Sequence, residues 1–140
     1  MTRSHELVFV DTGAWIALAL TRDPWHERAR AAWEDLLDKG ARLATSVPVA
    51  IETFTFLDRN TTRDVALAWK TSLDRLAARM HLLECESHDL ERAWAYFAKP
   101  ELHKLSLVDA TSFVLMARAK IRLAFAFDHH FASAGFRMVG

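Results

Sequence analysis

The chain has 140 residues, of which 51% are hydrophobic, including five Trp and nine Phe. This content supports one folded domain of ordinary size, over residues 1–140, and excludes an intrinsically disordered chain. The 18 basic and 18 acidic side chains cancel, which excludes a protein that coats nucleic acid by charge alone. A single cysteine, Cys85, excludes an internal disulfide framework and a cysteine-based zinc site.

The sequence contains no candidate membrane segment. Its longest uninterrupted apolar run, residues 14–20, is far shorter than the roughly 20 residues that cross a bilayer. No charged stretch followed by an apolar one opens the chain, which predicts that a secretory signal is absent. We therefore expect a cytoplasmic protein with no membrane association.

The first quarter of the chain predicts one strand and two helices. Leu7–Val10 is an apolar run of strand length, and a helical pattern follows directly after Asp11. Asp23 and Pro24 predict the start of the second helix, because Asp is a preferred N-cap and Pro is favoured at the first helical position. Gly40 is expected to end that helix.

The middle of the chain continues the alternation. Residues 42–45 predict a short strand, and Ser46 predicts the N-cap of a helix that runs to about Leu57. Thr61 or Thr62 is expected to open the next helix. The apolar residues of that helix recur at helical spacing, and they are Val65, Trp69, Leu73 and Leu76.

The last part predicts three more strands. Residues 80–85 form one candidate, followed by a helix that Ser87 caps and that carries Leu90, Trp94 and Phe97 along one face. Ser106 and Asp109 match a capping box that opens a helix to about Lys120. Residues 123–127 and 136–139 are the remaining strand candidates.

This alternation indicates the fold class. Strands that alternate with helices and are apolar enough to be buried on both faces are typical of a parallel sheet with helical crossovers. The prediction is an α/β protein. In such sheets, functional groups collect beyond the carboxyl ends of the strands.

Two aspartates occupy that position. Asp11 follows the first strand and Asp128 follows the strand over residues 123–127. Each therefore lies where a buried strand meets solvent. Taken alone, either could equally be an ordinary turn or helix-cap aspartate.

Two further acids lie on helices that are apolar in nearly every direction. Glu52 lies in such a helix, which is typical of a buried or interface element, and a carboxylate there costs free energy unless it is paired or bound to a cation. A partly exposed Glu on an interface helix is the alternative. Asp109 lies in the first turn of its helix, where helix capping alone could explain it.

Together the four acids indicate a metal site. Two strand-end aspartates and two acids near helix starts can converge on one edge of the sheet, where a divalent cation relieves their repulsion. Oxygen ligands without His or Cys select Mg²⁺ or Mn²⁺. Such a cluster suits metal-assisted hydrolysis of a phosphodiester bond.

Four segments, in order, resemble the motifs of PIN-domain ribonucleases. The length and the closing Ala134-Gly135-Phe136-Arg137 are similar to the VapC toxins of bacterial toxin–antitoxin pairs. The resemblance covers essentially the whole chain. The four segments are Val10-Asp11-Thr12-Gly13-Ala14-Trp15, Ala50-Ile51-Glu52-Thr53, Leu105-Ser106-Leu107-Val108-Asp109-Ala110 and Ala126-Phe127-Asp128-His129-His130-Phe131.

The resemblance implies a PIN-like three-layer α/β/α sandwich with a central, mainly parallel sheet of four to five strands. It also implies a Mg²⁺-dependent endoribonuclease, with Mn²⁺ as a substitute, acting as the toxin of a type II pair. The metal-binding and catalytic acids would be Asp11, Glu52, Asp109 and Asp128, with one or two ions between them, and Thr12 would help to order the site.

The same resemblance implies the partners: an RNA substrate, a cognate antitoxin that lies in a groove beside the active site, and a second copy of the chain in a homodimer. Lys99, His103 and Lys104 form a small basic group that either contacts RNA or is simply a solvated loop. We expect His129 and His130 to be surface residues.

Two other interpretations are compared with the sequence patterns. A phosphatase of the haloacid dehalogenase type also has an Asp after its first strand, but it needs a second acid two residues later, where this chain has Gly13. A PIN fold that acts only as an interaction module remains the alternative, and the intact set of four acids argues against it. Cys85 is expected to be a buried, unreactive thiol.

Overall fold

The computed structural model describes residues 6–140, which form a five-stranded sheet between two layers of helices. All four strand pairings are parallel, and the strand order is β3-β2-β1-β4-β5. The expected three-layer α/β fold is confirmed. The strands are β1 (Leu7–Val10), β2 (Arg42–Ser46), β3 (Met80–Leu83), β4 (Leu123–Phe125) and β5 (Arg137–Val139).

Seven α-helices connect or follow these strands. Two 3-10 segments, Trp94–Ala98 and Pro100–Leu102, lie between α5 and α6. The helices are α1 (Thr12–Ala19), α2 (His26–Asp38), α3 (Val47–Asn60), α4 (Arg63–Arg75), α5 (Ser87–Ala93), α6 (Leu107–Arg118) and α7 (His130–Ser133).

The topology places a switch point between β1 and β4. From β1 the chain moves outward through β2 to β3, then returns to β4 on the other side of β1 and continues to β5. Ligands bind at such points, beyond the carboxyl ends of the strands where the connections diverge. The backbone N–H of Asp11 donates to the carbonyl of Phe125 at 3.1 Å, so the ends of these two strands are joined there.

Aromatic side chains fill the space on both sides of the sheet. On one side the Trp15 ring packs 5.6 Å from Trp33 and 5.7 Å from Trp69, joining α1, α2 and α4. On the other side Phe113 of α6 packs 5.0 Å from Phe131 of α7 and 5.7 Å from Phe136. These contacts hold in place α1, whose N-cap is Asp11, and α6, which carries Asp109.

Local signals placed most helix starts correctly. Ser46 Oγ accepts from Val49 N at 3.1 Å and Thr62 Oγ1 accepts from Val65 N at 3.2 Å, as the capping patterns predict. Asp23 is different, because its carboxylate accepts from Trp25 N in a tight turn. The helix expected at Pro24 therefore begins only at His26.

The observed elements differ from the predicted ones between β3 and α6 and again after β4. Glu86, not Ser87, caps α5, and that helix ends at Ala93 and continues as a 3-10 segment. Strand β3 ends before Cys85, which is half-buried, and burial raises the pKa of its thiol. No pattern in the sequence predicts α7, which has only four residues.

The single-domain prediction covers residues 1–140, of which 1–5 lie outside the described residues. Within residues 6–140 no helix has the length and apolar character needed to cross a membrane.

Candidate active site

Asp11 lies buried at the junction of β1 and α1. It is the N-cap of α1, and only 4% of its surface is exposed. Its carboxylate Oδ1 has no hydrogen-bond partner among the described residues. Burial raises the pKa of Asp11 well above its usual value, and the negative charges of Asp109 and Glu52 raise it further. This environment therefore favours a carboxyl group that is either protonated or bound to a cation.

Asp109 lies in the first turn of α6, where the Ser106 cap fixes it. The backbone N–H of Asp109 donates to Ser106 Oγ at 3.0 Å. Burial raises the pKa of Asp109 to about 7, and the neighbouring carboxylates of Asp128 and Glu52 add to the shift. Near neutral pH this carboxyl group therefore exchanges readily between a proton and another cation.

Asp128 follows β4 and contacts both Asp109 and His130. Its Oδ1 accepts from the backbone N–H of His130 at 2.9 Å and lies 2.8 Å from His130 Nδ1. Partial burial raises the pKa of Asp128, but its contacts with His130 and its hydrogen bond with Asp109 outweigh burial, and the pKa falls below its usual value. Asp128 thus remains ionised beside a neighbour that readily takes up a proton.

Glu52 lies half-buried on α3, next to an exposed apolar surface. The buried residues of α3 are Val49, Thr53 and Leu57, whereas Ile51, one position before Glu52, is 63% exposed. The charge of Glu52 raises the pKa of both Asp11 and Asp109. Its carboxylate therefore acts on the same cluster as the two aspartates.

The structure thus brings the four predicted acids to one edge of the sheet. Asp11, Glu52, Asp109 and Asp128 are called the acidic cluster below. Thr12 lies beside them, buried, with a hydroxyl that has no hydrogen-bond partner within residues 6–140. The cluster lies at the β1–β4 switch point, the position that the α/β pattern predicted.

One of the two histidines was misjudged. His129 is largely exposed, as expected, but His130 is buried and its Nε2 lies 3.0 Å from the carbonyl oxygen of His103. Burial lowers the pKa of His130, yet its contacts with Asp128 and with that carbonyl outweigh burial, and the pKa is raised. No local pattern in the sequence distinguishes His130 from His129.

The basic group near the site remains exposed. Lys99, His103 and Lys104 are all at the surface, and Lys99 Nζ lies 5.6 Å from the centre of the Tyr96 ring. Lys104 has a positive φ of 63°, which is uncommon for a residue with a side chain. This loop directly precedes the Ser106 cap of α6.

Two acids of the cluster and the adjacent His130 offer donor atoms that suit a divalent cation. Asp109, Asp128 and His130 each offer one donor atom, and these atoms all lie within 4.8 Å of one another. The raised pKa values of Asp11 and Asp109, and the buried Asp11 oxygen without a hydrogen-bond partner among the described residues, favour the binding of a divalent cation. The residues present therefore fit the group that the sequence predicted.

A PIN-domain family model matches residues 8–137. The chain belongs to the PIN-domain family. It is 34% identical over 130 residues to a protein of Mycobacterium tuberculosis, the 23S rRNA-specific endonuclease VapC20, and the match covers 93% of this chain and 95% of the relative. The expected PIN-domain nuclease of the VapC toxin type is confirmed.

Solved structures agree with this assignment. The crystal structure of Mycobacterium tuberculosis VapC20, a Sarcin-Ricin loop cleaving toxin, matches with a TM-score of 0.80 and 33% identity over 92% of this chain and 95% of that chain. VapBC2 from Rickettsia felis, bound to a promoter DNA fragment, matches with a TM-score of 0.67 and 12% identity, over 94% and 96% of the two chains. FitAcB from Neisseria gonorrhoeae matches with a TM-score of 0.66 and 15% identity, over 95% and 96%. At those identities the last two show the fold alone.

Proposed function

We propose that this PIN-domain chain is a Mg²⁺-dependent endoribonuclease whose catalytic centre is the acidic cluster. The observation that carries the proposal is the state of Asp11: one of its carboxylate oxygens has no hydrogen-bond partner among the described residues, and its pKa is raised by burial and by two neighbouring acids. Without a cation, this arrangement costs the fold free energy. A divalent ion bound by Asp11, Glu52, Asp109 and Asp128 would remove that cost.

The donor set favours a hard cation. Carboxylate oxygens are the ligands that Mg²⁺ prefers, and Mn²⁺ accepts the same ligands at similar distances. We therefore propose Mg²⁺ as the ion, with Mn²⁺ as a substitute. Four carboxylates can hold either one ion or two.

Two of the four acids, Asp109 and Asp128, are oriented by hydrogen bonds. An ion bound here would lower the pKa of a water molecule and balance the charge of a phosphodiester. The Ser106 cap orients Asp109, and the N–H of His130 orients Asp128. The hydroxyl of Thr12 is buried beside Asp11 and has no hydrogen-bond partner among the described residues.

The substrate is proposed from the relative. VapC20, at 34% identity over nearly its whole length, is named as specific for 23S rRNA. We propose that this chain also cuts 23S rRNA, leaving a 3′-hydroxyl and a 5′-phosphate. The exposed Lys99, His103 and Lys104, just before α6, are placed to meet RNA phosphates.

An antitoxin is the second proposed partner. A groove of about 530 Å³ runs between α1, α2 and α4, and most of the residues that line it are apolar. Its apolar lining suits the apolar face of an amphipathic helix. The lining includes Trp15, Leu18, Trp33, Val65, Trp69 and Leu76.

A homodimer is the third proposed assembly. Ile51 and Phe56 are exposed on α3 and lie with Pro48 and Val108 in an apolar depression that also contains Glu52. Large apolar side chains that share one exposed surface are typical of protein interfaces. We propose that this surface, called the α3 face below, packs against its copy in a second chain.

We also propose that residues 1–140 form one PIN domain, with a cytoplasmic location.

The test is cleavage of RNA by purified, antitoxin-free protein. Intact ribosomes and total RNA are incubated in Mg²⁺, in Mn²⁺ and in EDTA, and the cut ends are mapped by sequencing. Asp109→Asn removes one acid of the cluster, and Asp89→Asn is the matched control, since Asp89 is equally buried but lies outside the cluster.

We expect discrete, metal-dependent cuts in 23S rRNA that the control retains and Asp109→Asn loses. Cuts found only in another RNA would contradict the proposed 23S rRNA substrate but would still support the proposed nuclease activity. No cutting by folded protein in either metal would instead support the non-catalytic interaction module.

A further inference from the structure

Among the histidines of residues 6–140, His130 alone faces the acidic cluster from a buried position. Its side chain is 8% exposed. The ring Nε2 lies 3.0 Å from the carbonyl oxygen of His103. A carbonyl oxygen only accepts hydrogen bonds, so Nε2 carries a hydrogen, and Nδ1 presents a lone pair to a cation whenever the ring is neutral. A hydrogen bond from the far nitrogen to a backbone carbonyl is the usual support of a metal-binding histidine.

The other ring nitrogen points into the cluster without a hydrogen bond. Nδ1 of His130 is buried and has no hydrogen-bond partner among residues 6–140, although Asp128 Oδ1 lies only 2.8 Å away. The two atoms are thus close but not aligned for a hydrogen bond. Neighbouring ligands of one octahedral ion, with bonds of about 2.1 Å, stand about 3 Å apart. The observed spacing is close to that of two ligands sharing an ion.

A third donor completes the group. An oxygen of Asp109, an oxygen of Asp128 and a ring nitrogen of His130 all lie within 4.8 Å of one another. Asp109 is fixed by Ser106, and His130 is fixed by His103. The three donors therefore belong to three separately anchored side chains that face one small volume.

We propose that His130 Nδ1 is a metal ligand, together with Asp109 and Asp128, and that this nitrogen strengthens the binding of Mn²⁺ more than that of Mg²⁺. Imidazole is a good ligand for first-row transition metals, whereas Mg²⁺ prefers oxygen. The proposal rests on the proposed function, because it takes the acidic cluster to be a metal site. It adds a nitrogen ligand, and a larger effect on Mn²⁺ than on Mg²⁺, that the four acids alone do not predict.

The competing role for His130 is purely positional. Its backbone N–H already donates to Asp128 Oδ1, so the ring could serve only to hold that carboxylate in place. A positioning residue would affect every divalent ion alike, because it acts through Asp128. A ligand would affect Mn²⁺ more than Mg²⁺ and would place nitrogen in direct contact with the ion.

The first measurement compares metal affinities of the antitoxin-free full chain by calorimetric titration with Mn²⁺ and with Mg²⁺. We expect His130→Gln to weaken Mn²⁺ binding by about tenfold or more, with a distinctly smaller loss for Mg²⁺. His129→Gln is the matched control, because its ring packs 4.5 Å from that of His130 but is exposed. Equal losses for both ions in His130→Gln would overturn the ligand role in favour of positioning.

The second measurement is pulsed electron paramagnetic resonance of Mn²⁺ bound to the wild-type chain. A directly bound imidazole gives a ¹⁴N coupling, and we expect this signal in the wild type and in His129→Gln. Its absence from the wild type would overturn the proposal even if His130→Gln fails to fold, while Mn²⁺ binding itself would still support the acidic cluster. If the wild type bound no Mn²⁺ at all, both this proposal and the proposed function would fail.

Discussion

Arg118 holds the buried carboxylate of Asp89 with two hydrogen bonds and thereby fastens α5 to α6. Nε of Arg118 lies 3.1 Å from Oδ1 of Asp89, and Nη2 lies 3.0 Å from Oδ2. The same carboxylate accepts from the backbone N–H of Glu86 at 2.9 Å and so begins α5. This pair supports the helix that carries Asp109 without entering the acidic cluster.

Removing this pair is expected to destabilise the fold. Asp89→Ala should lower the free energy of unfolding by about 2 kcal/mol, because it removes charge-assisted hydrogen bonds and a helix cap. Urea denaturation measures this change. Unchanged stability would show that Asp89 does not anchor α5 to α6.

The Asp89–Arg118 pair also predicts that the stability of the fold depends on pH. Burial raises the pKa of Asp89, but the N–H of Glu86 and the guanidinium of Arg118 outweigh it, and the pKa is lowered. An acid whose pKa falls on folding stabilises the fold at neutral pH, and this contribution is lost as the pH falls below the unfolded value of 3.8. The stability difference between wild type and Asp89→Ala should therefore shrink below about pH 4.

Thr45 of β2 links the end of β1, just before Asp11, to the side chain of Trp15. Its hydroxyl donates to the carbonyl of Val10 at 2.9 Å and accepts from Trp15 Nε1 at 3.2 Å. Thr45→Val keeps the shape but leaves two buried polar groups unpaired, so it should cost about 2 kcal/mol of stability. Thr45→Ser keeps the hydroxyl and should retain most of the stability in thermal denaturation. Equal losses in both variants would assign the effect to packing.

The acidic cluster should make the metal-free protein less stable as the pH rises. The pKa of Asp109 is raised to about 7 from 3.8, so the folded state binds this proton more tightly than the unfolded state. Stability is then lost as the pH rises from about 4 to about 7. Asp109→Asn removes this loss and should be more stable than the wild type in EDTA at pH 8, by about 2–4 kcal/mol.

The same variant offers a control for that prediction. In EDTA at pH 4.5 the two proteins should differ much less, because the wild-type carboxyl group is then protonated. Thermal melting at both pH values measures the difference. A constant difference between pH 4.5 and pH 8 would mean that Asp109 is not held in a state of raised pKa.

The α3 face should hold two copies of the chain together. Ile51→Glu places a charge on a side chain that is 63% exposed in the single chain, so the fold should tolerate it while a dimer would not. Light scattering after size exclusion should show a dimer for the wild type and a monomer for the variant. Leu67→Glu on α4, also half-exposed, is the control and should remain dimeric.

Local signals in the sequence were sufficient where a few neighbouring residues decide the structure. The caps at Ser46 and Ser106 need only a side-chain oxygen and an N–H three residues later. The strand ends at Asp11 and Asp128 follow from apolar runs of strand length. The parallel order of those strands then brings both acids to one edge, which the α/β pattern predicted.

Long-range contacts explain what the sequence analysis missed. His130 is buried because a carbonyl 27 residues earlier in the chain, at His103, accepts from its ring, and no local pattern separates it from the exposed His129. Asp23 looked like a helix cap, but its carboxylate closes a turn onto Trp25. In both cases the local structure depends on which hydrogen-bond partner the side chain takes in the folded chain.

The central claim is that the four acids of the cluster together hold a divalent ion. Calorimetric titration of the antitoxin-free wild type with Mn²⁺, alongside Asp11→Asn, Glu52→Gln, Asp109→Asn and Asp128→Asn, tests it most directly. We predict that each variant binds Mn²⁺ at least about tenfold more weakly than the wild type, while Asp89→Asn binds it normally. Wild-type affinity in the Asp11→Asn and Asp109→Asn variants would contradict the account.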